Sequence, residues 1–79
     1  MATFPEDFLH EARSVMDSLR FAPPELETLH FGRLAEVSAE LYAWNADAGT
    51  ALAVTLLHRS KNGLAHLIRE LEKSKSEQK

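Results

Sequence analysis

The chain has no cysteine, only three prolines and three glycines, and no long hydrophobic run. Without cysteine there is no disulfide framework, no zinc ribbon and no thiol nucleophile. So few glycines and prolines cannot supply the many turns of an all-β domain. The longest nearly apolar stretch, Ala48 to Leu57, is interrupted by Gly49, Thr50 and Thr55. It is about half of the ~20 apolar residues that a bilayer-spanning helix needs. The first residues carry Glu6 and Asp7, where a secretory signal needs a basic start and an apolar run. No membrane association is expected, and a cytoplasmic location is the expectation that remains. Positive charge is also scarce: nine Lys plus Arg stand against twelve Asp plus Glu, a formal net charge of -3. That balance argues against a generic nucleic-acid binder, whose affinity depends on a cationic footprint.

What is abundant is leucine and alanine. Twelve Leu and eleven Ala contrast with eight Val, Ile and Thr together. Leu and Ala lose little entropy on entering a helix, whereas β-branched side chains suit strands better. With 79 residues there is room for one core. The expectation is a single all-α domain over residues 1–79, with a short N-terminal helix and a long antiparallel helical hairpin, packing as a helical-bundle homodimer.

Three helices are expected, over about 4–20, 24–44 and 48–73, with a frayed polar tail at 74–79. Thr3 and Glu6 have the spacing of a capping box ahead of the first helix. Phe4, Phe8, Ala12, Val15 and Leu19, with Leu9 and Met16 alongside, form its apolar face. Ala22 and Pro23, each preceding a proline, should be extended, and Pro24 is placed to begin the second helix.

That helix carries two apolar rows: Leu34, Val37, Leu41, Trp44 and Ala48, and beside it Phe31, Ala35, Ser38 and Tyr42. Together they cover close to half the circumference, more than the ~100° stripe of a surface helix. Residues 45–50 make the expected hairpin bend. Asn45 in a left-handed cap with Asp47 capping the next helix, or Gly49 as the closing residue, are equally fair readings. Asn62-Gly63 is a strong turn signal. The row Ala53, Leu57, Ser60, Leu64, Leu67 and Leu71 nevertheless runs through it in phase, so one continuous third helix is expected. Residues 1–49 hold three basic and nine acidic side chains, and residues 50–79 six basic and three acidic, which suits pairing within the hairpin.

Chemistry is harder to find. His58, Asn62 and His66 lie one turn apart, but an amide is a poor zinc ligand and no carboxylate completes the set, so no metal is expected. For His30 a boundary position with a backbone partner is favoured over an interface position conferring pH sensitivity. No activated nucleophile and no glycine-rich phosphate loop is evident, so neither catalysis nor a cofactor is expected.

The expected function is that of a small non-enzymatic protein–protein interaction module: an adaptor, a chaperone-like protein, or an inhibitor or regulator of a larger protein. The second apolar row and its aromatic neighbour, namely Phe31, Ala35, Ser38, Tyr42 and Trp44, are the candidate interface, on a homodimer or a protein partner. The alternative is a small DNA-associated transcriptional regulator using the basic stretch Arg59, Lys61 and Arg69.

Overall fold

A computed structural model describes residues 3–77. They are all-helical, in five elements: α1 (Glu6–Phe21), α2 (Pro24–Glu36), α3 (Ser38–Trp44), α4 (Ala46–His58) and α5 (Lys61–Glu77). The molecule measures 39 × 19 × 17 Å. Helix α1 packs against α2, α3 and α5, and α4 packs against α2, α3 and α5. The core is built from Phe8, Leu9, Ala12, Val15 and Leu19 of α1, Phe31 and Leu34 of α2, Leu41 of α3, Leu52 of α4, and Leu64, Leu67, Ile68 and Leu71 of α5. The apolar face read from the α1 sequence is therefore the buried one, and the first apolar row of 24–44 also faces the core. Phe4 and Trp44 close one end with an edge-to-face contact, ring centroids 5.5 Å apart.

Five helices replace the expected three because two of the long segments break. The 24–44 segment turns at Val37 without glycine or proline. Val37 (φ -108°, ψ 9°) leaves the helical region, and its N–H donates to the Leu34 carbonyl three residues back. The Ser38 hydroxyl donates to the Ala35 carbonyl at 2.8 Å, so a side chain competes with the backbone ladder there. The 48–73 segment breaks at Arg59, not at Asn62-Gly63. Arg59 adopts the left-handed conformation (φ 49°, ψ 46°). Its N–H donates to the Leu56 carbonyl and the Ser60 N–H to the Thr55 carbonyl, the paired bonds of a Schellman cap. The Ser60 hydroxyl then accepts from the Gly63 N–H at 2.9 Å and opens α5. Gly63 is suited to this place, since a Cβ there would crowd Thr55 Oγ1 and Ser60 Oγ.

The hydrophobic phase does reset at this break. Ala53 and Leu57, expected on the core row, are exposed, and α4 instead turns Gly49, Leu52 and Thr55 inward. The expected row was illusory because α4 has no charged residue from Ala48 to Leu57, so an apolar row can be drawn on any side of it.

Three termini also differ from expectation. The Thr3–Glu6 capping box does not form: Pro5 occupies the N-cap and Glu6 is the first helical residue. Phe4, preceding a proline, is disfavoured in the α region and cannot begin the helix. The tail is not frayed from residue 74, because α5 continues through Glu77 and Lys75 pairs with Glu6 at 2.9 Å; residues 78–79 lie outside the described residues. Asn45 is extended (φ -157°), not left-handed, and caps α4 through its side chain. Its Oδ1 accepts from the N–H groups of Asp47 (2.9 Å) and Ala48 (3.1 Å). Asn45→Ala should lower stability by about 1 kcal/mol. A urea titration with a lower midpoint and an unchanged slope would register it.

Charge holds α1 more than it holds the expected hairpin. Arg33 reaches Glu11 (2.7 Å) and Ser14 of α1, Arg13 reaches Glu72 of α5 (2.7 Å), and Lys75 reaches Glu6. These partly exposed pairs are each worth only tenths of a kcal/mol, so they orient α1 more than they stabilise it.

Candidate functional site

The five residues of the expected interface do not form one face. Phe31 is buried in the core, and Trp44 is half-buried against Phe4. Ser38 turns its hydroxyl back onto Ala35. Ala35 and Tyr42 remain exposed. The turn at Val37 separates the row, since residues before and after it no longer share a helix axis.

Two features of α4 flank those exposed positions. The Tyr42 ring lies directly over Gly49, so closely that a methyl group on Gly49 would overlap it. A groove of about 180 Å³ lies between α2 and α4, lined by Thr28, Phe31, Gly32, Ala35, Leu56 and Arg59. Gly32 faces open space there, with no atom near a would-be Cβ. Gly32→Ala should therefore raise the denaturation midpoint by the equivalent of about 1 kcal/mol, since alanine is favoured in an exposed helix interior. A fall in the midpoint would show that the groove closes in solution.

Gly49 and Leu56 are seven positions apart and so share one side of α4, which puts the Tyr42 ring and the groove along one edge of its outer side. The exposed residues of α4 are Ala46, Asp47, Thr50, Ala51, Ala53, Val54, Leu57 and His58. Val54 is 52% and Leu57 75% exposed. The Thr50 hydroxyl donates to the Ala46 carbonyl at 3.0 Å, so its hydrogen-bonding group is satisfied within the helix. Six of these eight positions thus offer aliphatic carbon to solvent. Sequence reasoning missed this surface because it placed Ala53 and Leu57 in the core; the uncharged stretch from Ala48 to Leu57 was its signal. A second exposed apolar group, Phe21 (88% exposed), Leu26 and Leu29, marks the corner where α1 passes into α2.

The basic positions are partly engaged. Arg59 donates to Thr28 Oγ1 at 3.1 Å, and Lys61 pairs with Glu27 at 2.7 Å. Arg69 is exposed on α5 beside Glu70 in sequence. The break at Arg59 puts His58 on α4 and leaves Asn62 and His66 on α5, where His66 lies 3.8 Å from Glu70. Among the described residues no group of three His, Asp or Glu side chains comes together as a metal site. His30 is half-buried, and its Nδ1 is buried without a hydrogen-bond partner among the described residues. The favoured backbone partner is therefore not present at that nitrogen. No helix among the described residues is long and apolar enough to cross a membrane.

Comparison with protein-family models, curated proteins and solved structures found no match to this chain.

Proposed function

We propose that the protein is a small, non-enzymatic protein–protein interaction module of the cytoplasm, able to self-associate and acting as adaptor, chaperone-like partner or inhibitor of a larger protein. The observation that carries this reading is the outer side of α4, uncharged from Ala48 to Leu57, with Val54 and Leu57 presented to solvent. Tyr42 and the α2–α4 groove border it. Soluble proteins seldom expose large contiguous apolar patches, and those that do commonly use them for binding. Tyrosine is a favoured anchor at such surfaces because its ring is large, stiff and amphipathic.

Tyr42→Glu should abolish assembly while the far-ultraviolet circular dichroism stays that of the wild type. Affinity capture from a native lysate, with and without nuclease, compares the two proteins directly. A stoichiometric protein retained by the wild type after nuclease, and lost with Tyr42→Glu, is the expected result. Equal retention by the variant, or a catch that disappears with nuclease, would count against the reading.

A further inference from the structure

We propose that α4 pairs with α4 of a second copy of this chain, antiparallel, about a two-fold axis passing near Ala53 and Val54. This deepens the interaction-module reading and rests on it. The argument begins with the order of side chains along the exposed face. At about 100° per residue, Ala46, Thr50, Ala53 and Leu57 fall within a sector of roughly 60°, and Val54 lies beside it. Along that side of α4 the side chains are small from Ala46 through Thr50 to Ala53, and the large ones, Val54 and Leu57, follow towards the C-terminal end.

A strip graded from small to large is not complementary to itself in parallel, where large meets large at one end and a gap opens at the other. Reversed, it fits: Leu57 of one copy sits opposite Thr50 of the other, and Val54 opposite Ala53. A two-fold interface of this kind uses the same patch on both copies and closes without leaving an open end.

The charges give a second, independent reason. The only polar residues in the exposed sector apart from Thr50 are Asp47 and His58, at opposite ends of α4. Eleven positions apart, they lie within about 20° of one another around the helix and so share one flank. A two-fold axis between antiparallel helices keeps each flank on its own side, so Asp47 of one copy comes beside His58 of the other, twice. An imidazole always carries an N–H, and the carboxylate accepts from it. Parallel pairing offers no such meeting. The antiparallel arrangement also sets the two helix dipoles head to tail.

The absence of native cysteine makes the geometry directly testable, because one introduced thiol reports on one contact. Sedimentation of the wild type at about 100 μM, a concentration at which even a modest interface is populated, should give twice the 8.9 kDa chain mass. Leu57→Glu, at a largely exposed site, should give a monomer with unchanged helicity. Under mild oxidation Ala53→Cys should form a disulfide-linked dimer. Ala46→Cys should not, since its two copies would lie about 20 Å apart along the helices.

A monomeric wild type, a dimer indifferent to Leu57→Glu, or equal cross-linking at both cysteines would each overturn the proposal. A wild-type monomer that still captures another protein, and loses it with Tyr42→Glu, would overturn the pairing while leaving the module reading standing.

Discussion

Leu41→Ala should remove between a quarter and three quarters of the protein's stability, costing about 3 kcal/mol or more. A domain of this length has roughly 4–12 kcal/mol in all. The reason is the way α3 is held. It is seven residues long, well below the length at which a helix persists by itself, and Leu41 is its one buried residue. Leu41 is 0% exposed and packs within the core cluster. Truncating it removes the buried anchor of α3, leaving the more exposed contacts of Glu40, Tyr42 and Trp44 to hold it. Chemical denaturation followed by circular dichroism measures the loss. Leu29→Ala, on α2 and away from the proposed α4 contact, is the matched control: the same change at a 65% exposed site should stay within about 0.5 kcal/mol. Similar losses in the two variants would mean that Leu41 is no more buried in solution than Leu29.

Removing the carboxylate of Glu40 should cost about 1–2 kcal/mol, more than an exposed glutamate ordinarily does. Helix α1 begins behind a proline, which has no side-chain acceptor to offer its first turn. The acceptor comes instead from 32 residues away: Glu40 Oε1 takes the Phe8 N–H at 2.6 Å. A carboxylate at a helix N-terminus satisfies a free donor and also complements the dipole. Glu40→Ala leaves that donor unpaired, whereas Glu40→Gln retains an acceptor and should recover part of the loss. Hydrogen exchange at the Phe8 amide gives a local readout, with faster exchange expected in the alanine variant. An unchanged Phe8 amide together with an unchanged midpoint would show that the cap does not form in solution.

Both effects lie in the short helix that follows the turn at Val37. There Leu41 sits in the core and Glu40 over the start of α1. A straight helix over 24–44 would be about 31 Å long, longer than α1 itself at about 24 Å. Nothing near Val37 reads as a stop signal in the sequence, since the residues around it are ordinary helix formers with one serine among them. The break at Arg59 was half legible. Asn62-Gly63 marked the neighbourhood of a turn, but arginine is an unusual left-handed cap, and the apparent phase through α4 pointed to continuity.

The candidate surface was legible to a similar degree. That apolar area exceeds what one hairpin needs could be seen in the residue spacing. Which residues remain outside could not. Phe31 and Trp44 became structural, Tyr42 and Ala35 stayed at the surface, and Ala53, Val54 and Leu57 joined them there. Phe31 and Trp44 turned inward because size draws a residue to a core as strongly as to an interface.

By itself the sequence determined the helical class, the buried face of α1, the extended Ala22-Pro23 link and the presence of a bend within residues 45–50. Each follows from short-range physics: side-chain entropy, proline sterics and a strict three-four repeat bounded by charges. Tertiary structure alone decided the turn at Val37, the Glu40 cap on α1 and the side of α4 left open to solvent. A cap drawn from 32 residues away has no local signature. A stretch without charge on any side, as Ala48 to Leu57 is, has no strong intrinsic inward face, so α4 takes its orientation from the neighbours that pack against it.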